Sequence, residues 1–222
     1  MIKALNFQEG YILQNMNQPQ SQSSSTMPLN NQMMVKNRGA HELFDGHETI
    51  SSIINMLDQY QLYAQYIKDP ELKSIAQRQT SFVTQMYNTV VECYKTGKDP
   101  AVPTQQYRMT QNNNVIYGIK PGQPKKPNQS INEISDQGLS GFMLANTKSL
   151  ATVLPMAALE INNPVLRRVL ADSVPNFIEM SYEIFLYQNK HGYYQVPELT
   201  EQDTSIMLNC YTTASQFGNM TH

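Results

Sequence analysis

A repeat with an offset of 94 residues is the feature that most constrains the fold of this chain. In each copy a cap-and-proline pair, Asp69-Pro70 or Asn163-Pro164, separates two segments of helical pattern. Matching positions keep one register: Pro70/Pro164, Leu72/Leu166, Lys73/Arg167, Met86/Met180 and Pro103/Pro197. Two helical hairpins joined by a long connection are typical of a four-helix bundle. The repeat therefore predicts an all-α fold made of two duplicated hairpins.

The helical pattern also predicts where the parts of the chain begin and end. We expect a disordered polar arm over 1–38, a bundle over 39–215 and a tail over 216–222. Within the bundle we expect a hairpin at 39–96, a crossover at 97–132, a hairpin at 133–191 and a closing segment at 192–215. The arm contains a Gln- and Ser-rich run that cannot bury enough surface to fold alone. Its apolar start is either a docking segment or an extension upstream of a true start at Met16.

Local signals place the helix ends. Asp69 is a good N-cap, and Pro70 suits the first helical position. Gly97 permits the left-handed conformation that ends a helix. A helix over about 133–162 and a short closing helix from Thr200 to about 215 are also expected. The first helix should bury an apolar stripe formed by Leu43, Ile50, Ile53, Ile54, Leu57, Ala64 and Ile67.

Several polar residues and two prolines fall inside the predicted helices. We expect Pro155 and Pro175 to kink their helices, either as packing bends or to widen an internal cavity. The polar residues expected at the bundle axis would bond one another or trapped water: Gln79, Asn146, Ser149, Ser173 and Asn176. A short strand-like piece is expected at 115–117.

Composition excludes some partners. The chain has 16 basic and 18 acidic residues, so it has no general attraction to nucleic acid or anionic membranes. No uninterrupted apolar run reaches the roughly 18–20 residues that span a bilayer, and no signal peptide is recognised, so we expect synthesis in the cytoplasm without membrane insertion. Cys93 and Cys210 do not form a disulfide framework, and we expect each to be half-buried near a helix end, with cross-linking as the alternative.

The ligand inventory argues against a metal centre in the bundle. A dinuclear site needs a Glu on two helices and Glu-x-x-His on the others, and that motif is absent. His41 and His47 lie near a helix start, where solvation explains them, and His191 lies at a helix end, where the helix dipole favours a cation. No catalytic motif is present either. We therefore assign no catalytic, cofactor or metal residues, and the alternative is an irregular metal site formed by Glu42, His47, Glu48 or Glu160.

Three segments carry a family resemblance. They are residues 160–167 (Glu-Ile-Asn-Asn-Pro-Val-Leu-Arg), 180–187 (Met-Ser-Tyr-Glu-Ile-Phe-Leu-Tyr) and 191–197 (His-Gly-Tyr-Tyr-Gln-Val-Pro). Together they resemble the spore coat protein F (CotF) domain family of endospore-forming bacteria, closely over about 130–200 and more loosely over 40–96. The resemblance implies a ferritin-like bundle and a role in the spore coat or an associated layer. It implies no catalytic residues.

These observations favour a non-enzymatic structural or interaction protein of the bacterial endospore. Its partners would be other spore proteins, with self-association as a further possibility. Tyr193 and Tyr194 are candidates for cross-linking, with packing over a helix end as their alternative role. The competing functions are a divergent ferritin-like metalloprotein and a carrier of small molecules in a cavity near Pro155 and Pro175.

Overall fold

The computed structural model describes residues 38–214, and this part of the chain is helical. The elements in chain order are α1 (Ala40–Ala64), α2 (Pro70–Thr96), a 3₁₀ turn (Ile131–Glu133), α3 (Asp136–Glu160), α4 (Pro164–Lys190) and α5 (Glu201–Leu208). The all-α prediction is confirmed. The predictions for the polar arm, for Met16 and for the tail fall on residues outside the described range.

The predicted helix-end signals are confirmed. Asp69 accepts a hydrogen bond from the Glu71 N–H with Pro70 at the first helical position, and Gly97 ends α2 with a φ of 66°. Asn163 caps α4 in the same way, accepting from two backbone N–H groups. Thr200 caps α5. Each cap satisfies donors that have no partner within the helix.

The four long helices pack in the cyclic order α1, α2, α4, α3. Each helix therefore contacts the other helix of its own hairpin and the equivalent helix of the second hairpin. α1 packs against α2 and α3, and α4 packs against α2 and α3. Asp136, at the start of α3, contacts the turn between α1 and α2, whereas Asn163, at the start of α4, contacts Gly97 at the end of α2. All adjacent helices are therefore antiparallel. The crossover returns from one end of the bundle to the other, which is the connectivity of a ferritin-like bundle.

The 94-residue repeat extends through the packed core. Every buried residue of α2 has a buried residue 94 positions later in α4. The pairs are Leu72/Leu166, Ile75/Val169, Ala76/Leu170, Gln79/Ser173, Val83/Phe177, Met86/Met180, Thr89/Glu183, Val90/Ile184 and Cys93/Tyr187. The two hairpins thus present equivalent faces to the common core.

The buried face of α1 differs from the predicted stripe. Leu43 and Ile54 are exposed, and the face turned inward is formed by Glu42, Gly46, Thr49, Ile53, Met56 and Tyr60. Glu42, Gly46 and Thr49 are not large apolar residues, so the apolar pattern does not identify them as buried. The predicted stripe is therefore rotated about the axis of α1 relative to the face that is buried. Gly46 allows the ring of Tyr94 to lie 2.6 Å from the position that a Cβ atom would take.

Other expected boundaries are corrected. α3 spans Asp136–Glu160 instead of 133–162, and α5 ends at Leu208 instead of about 215. The segment from Pro197 to Ala214 is exposed throughout, so α5 does not close the bundle. In place of a strand at 115–117, a single parallel bridge joins Tyr117 to Val196.

By length and composition, helix α3 could cross a membrane, although it contains no uninterrupted apolar run of 18 residues. In the bundle, however, it buries Leu139, Met143, Leu150 and Leu154 against its neighbours, as the core helix of a globular protein does. The prediction for the cysteines is also corrected, since Cys93 is buried and Cys210 is exposed.

Candidate functional site

The main polar feature of the bundle interior is the buried carboxylate of Glu183 on α4. An Arg78 guanidinium nitrogen lies 2.6 Å from its Oε1 atom, and Gln79 donates to Oε2 at 3.2 Å. The crossover supplies two more donors, the hydroxyl of Tyr107 to Oε2 and the backbone N–H of Thr110 to Oε1. Four donors from α2 and the crossover therefore compensate a fully buried negative charge.

The network continues to α1 and changes the acidity of its members. Tyr60 donates its hydroxyl hydrogen to Gln79 at 2.8 Å. Burial, followed by the hydrogen bond to Glu183, raises the pKa of Tyr107. Burial by itself would lower the pKa of Arg78, but the contact with Glu183 outweighs it and raises that pKa. Tyr107 and Arg78 therefore stay protonated as donors at physiological pH.

A second anchor lies beside this network. Asn176 on α4 accepts a hydrogen bond from the Tyr107 N–H at 2.8 Å and donates to the carbonyl oxygen of Gln105 at 3.0 Å. On α2, Thr89 donates to the carbonyl of Val102. The polar interior is therefore used to fix the crossover on the α2 and α4 face.

This arrangement corrects the first of the two alternatives expected for the axial polar residues, that they bond one another. Gln79, Ser173 and Asn176 are buried, Asn146 is partly buried, and Ser149 is exposed. They do not bond one another in the described structure. Asn146 donates to Gln59, and Ser173 donates to the Val169 carbonyl in its own helix. Gln79 bonds Tyr60, the Met180 carbonyl and Glu183, and Asn176 bonds the crossover.

Sequence reasoning missed Glu183 as the centre of the interior. Glu183 falls within the 180–187 segment of the family resemblance and Gln79 among the predicted axial polar residues, but neither pattern identifies the two as partners. One signal was available: Glu183 lies between Met180 and Tyr187 on the inward face of a helix, where an uncompensated charge is costly. The partner Tyr107 comes from an irregular loop, and no periodicity could have located it.

Two carboxylates join the hairpins at opposite ends of the bundle, and they occupy equivalent positions of the 94-residue repeat. Glu42, in the first turn of α1, accepts the backbone N–H of Asn163 at 2.8 Å. Asp136, 94 residues later in the first turn of α3, accepts the backbone N–H of Asp69 at 3.1 Å. Asn163 is in turn the repeat partner of Asp69. Each hairpin thus holds the interhelical turn of the other, and we call these two contacts the end clasps.

The aromatic residues near the end of α4 pack around Asp69. Tyr187 donates its hydroxyl hydrogen to Asp69 Oδ2 at 3.1 Å, and His191 Nε2 lies 3.7 Å from the same atom. Tyr193 stacks on His191 with ring centroids 5.4 Å apart, and Tyr194 packs edge-on against Phe185. Both candidate cross-linking tyrosines thus pack near the helix end, with Tyr194 more exposed than Tyr193.

The residues proposed for an irregular metal site are separated by the fold. Glu42 is buried in an end clasp and close to Arg38, while His47 and Glu48 are exposed. Glu160 instead lies beside His41 and Asp45, and the potential ligand atoms of these three residues are all within 4.8 Å of one another. This group, which we call the α1–α3 triad, was not assembled by sequence reasoning.

An open pocket in the described part of the chain lies along the crossover rather than near the helix prolines. It has a volume of about 1000 Å³ and is lined by residues 123–131, by Ile134 and by residues of the first two turns of α3, including Phe142. Pro155 and Pro175 lie within continuous helices and do not line it. A carrier function near these two prolines therefore has no support from this pocket.

The described surface carries exposed apolar side chains in α5 and just after it. Ile206, Met207 and Leu208 expose 58%, 60% and 74% of their surface, and Tyr211 exposes 89%. Ile206, Met207 and Leu208 are the last three residues of α5, and Tyr211 lies three residues beyond them. A group of exposed apolar side chains is typical of a contact with another molecule.

Comparisons with known proteins agree with this architecture. The Coat F domain model matches residues 135–197, which cover α3, α4 and the Gly-Tyr-Tyr segment. The spore coat protein F-like protein YhcQ of Bacillus subtilis (strain 168) is 48% identical over 176 residues, covering 79% of this chain and 81% of the relative. A crystal structure described as that of a candidate spore coat protein of Bacillus halodurans aligns with a TM-score of 0.53 at 12% identity, covering 78% of this chain and 99% of the other. At that identity the structural match supports the fold alone.

Proposed function

The chain belongs to the Coat F family of spore coat proteins, and from this premise we propose that it is a non-enzymatic structural component of the bacterial endospore coat or of a layer associated with it. It would act by contact with other spore proteins. The proposal includes synthesis in the cytoplasm and no binding of nucleic acid.

One observation carries the non-enzymatic part of the proposal. In the bundle interior, where ferritin-like enzymes hold metal ligands, the carboxylate of Glu183 accepts bonds from Arg78, Gln79, Tyr107 and Thr110. Because these donors occupy both carboxylate oxygens, metal binding there would require breaking the contacts that hold the crossover. The interior chemistry thus favours a rigid unit over a catalyst.

Localisation tests the proposal. A fluorescent fusion of the full chain, expressed from its own promoter in a sporulating host, is expected to collect on the developing spore and to remain in the coat fraction of purified spores. Exclusive residence in the cytoplasm of vegetative cells would overturn the proposal.

The exposed residues of α5 offer a matched pair of variants. Replacing Ile206, Met207 and Leu208 by Ser removes exposed apolar surface without touching the core, so the fold should be unchanged while retention on the spore falls. Leu159→Ser is the control, because Leu159 is 85% exposed on α3. Equal retention of both variants would contradict a role for α5 in assembly.

The metalloenzyme alternative is tested by metal analysis of the protein purified without chelators. Redox-active iron or manganese that is lost in Glu183→Gln and retained in His41→Ala would identify a centre in the bundle interior and would favour the enzyme. Absence of such metal from the wild type supports the structural role.

A further inference from the structure

We propose that the α1–α3 triad of His41, Asp45 and Glu160 is a binding site for one divalent first-row metal ion, tested here with Zn²⁺. One imidazole and two carboxylates are ligands that Zn²⁺ commonly takes in proteins, and water would complete the coordination. The site lies at the end of the bundle and uses none of the residues of the Glu183 network.

The geometry brings the three groups together without satisfying them. Their potential ligand atoms lie within 4.8 Å of one another, close enough to share one ion. Among the described residues, His191 is the histidine that forms ion pairs. His41 therefore forms no ion pair with Asp45 or Glu160. The Oδ2 atom of Asp45 is buried and accepts no hydrogen bond in the described part of the chain. A buried carboxylate oxygen without a donor is costly, and a cation would compensate it.

The helix ends make a cation more favourable at this point. Glu160 is the last residue of α3, where the helix dipole is negative, and the last turn of α3 contains no basic residue. Asp45 brings a second negative charge into the same small volume. Two carboxylates therefore face each other beside a negative helix end, and a divalent ion would relieve both repulsions.

Among the residues that the structure describes, neither Asp45 nor Glu160 forms an ion pair with a side-chain cation. Arg38, at the same end of the bundle, donates to the Tyr94 carbonyl oxygen, and its Nε atom lies 3.6 Å from Oε1 of Glu42. Its charge is therefore paired with the carboxylate of an end clasp.

Chain register explains why the triad forms. His41 and Asp45 are four residues apart and share one face of α1. α3 runs antiparallel to α1, and this orientation places the last residue of α3 beside the first two turns of α1. Metal binding would therefore join the ends of two helices that belong to different hairpins.

Zn²⁺ titration of the full-length apo protein by isothermal calorimetry tests the proposal. We expect one ion per chain for the wild type and at least about tenfold weaker binding for His41→Ala, Asp45→Asn and Glu160→Gln, since each variant removes one ligand. His41 and Glu160 are exposed, so these two variants should fold normally. His47→Ala is the matched control, because His47 is an exposed histidine on the same helix outside the triad, and it should bind as the wild type does.

Co²⁺ supplies a second measurement that reports on the ligands. Its visible absorption in the wild type should change in His41→Ala and remain unchanged in His47→Ala. Absence of stoichiometric binding to the wild type would overturn the proposal. So would binding that survives the His41→Ala/Glu160→Gln double variant, because the ion would then be held elsewhere, for example by Cys210 or His222. Neither result depends on where the protein resides in the spore.

Discussion

At the residue scale, the two hairpin turns use different side chains, an Asp and an Asn, to cap the helix that follows. Asp69 and Asn163 occupy equivalent positions of the repeat, and each uses a side-chain oxygen to cap the helix that follows. Asp69 in addition carries a charge and accepts a hydrogen bond from Tyr187. Burial alone would raise the pKa of Asp69, but the bonds from Glu71 and Tyr187 and the nearby His191 outweigh it and lower that pKa. The repeat thus provides a natural control for the effect of the charge.

Substitutions at Asp69 should separate the cap from the charge. Asp69→Ala should lower the free energy of unfolding by about 1 kcal/mol, the usual value of an N-cap, whereas Asp69→Asn should retain most of it because Asn163 caps well. Because the folded pKa is lowered, the charge stabilises the fold above the ordinary Asp pKa of about 4, and this stabilisation is lost as the pH falls through the folded pKa.

Urea denaturation at several pH values provides the measurement for this prediction. The difference between the wild type and Asp69→Asn should shrink below about pH 4. The control Asn163→Ala should lose a similar amount of stability at every pH, since no ionisable group is removed. A loss in Asp69→Asn as large as that in Asp69→Ala would show that the cap is not the main contribution of the side chain.

At the element scale, the crossover is fixed by polar contacts more than by regular structure. Tyr107 connects it to Glu183 through its hydroxyl and to Asn176 through its backbone N–H. Further along, Asn189 accepts the Ile116 N–H and donates to the Ile116 carbonyl. A long loop that follows the bundle surface would otherwise leave its backbone groups to solvent. The buried charge of Glu183 is therefore part of how the loop is held.

Removal of that charge should destabilise both the core and the crossover. Glu183→Ala removes an acceptor from the Arg78 guanidinium and from three further donors, so we expect a loss of about 3 kcal/mol in unfolding free energy. Backbone amide exchange at Thr110 should accelerate more than exchange in the middle of α2. Glu179→Ala, one turn earlier on α4, is the control and should change stability by no more than about 0.5 kcal/mol. Unchanged exchange at Thr110 in Glu183→Ala would contradict the role of Glu183 as the anchor.

At the scale of the whole molecule, the end clasps join two similar hairpins into one unit. Glu42 and Asp136 are 94 residues apart, and each accepts the N–H of the turn in the other hairpin. The contacts lie at opposite ends of helices of 25 residues or more. The sequence similarity within the chain therefore corresponds to reciprocal contacts between its halves.

The clasps should contribute independently. Glu42→Gln and Asp136→Asn should each destabilise the protein, Glu42→Gln more because Glu42 is buried beside Arg38, and the losses in the double variant should add within about 0.5 kcal/mol. Chemical denaturation of the two single variants and the double variant measures this. Glu48→Gln, an exposed acidic residue on α1, should be neutral. A double variant whose loss departs from the sum by more than about 1 kcal/mol would indicate that the two ends are coupled.

The sequence by itself determined the architecture. Its prolines, caps and helical periodicity are local signals that act within a few residues, so the hairpins, their turns and the all-α class could be predicted, and the repeat carried that prediction across both halves. The tertiary structure alone decided which groups meet across helices. The burial of Gly46 and Thr49, the contact of Tyr107 with Glu183 and the approach of Glu160 to His41 depend on how α1, α3 and the crossover pack, and sequence separation does not encode that packing. Charge and geometry in the interior are set by contacts between distant segments, and for that reason the fold could be predicted from the sequence while the polar centre and the α1–α3 triad could not.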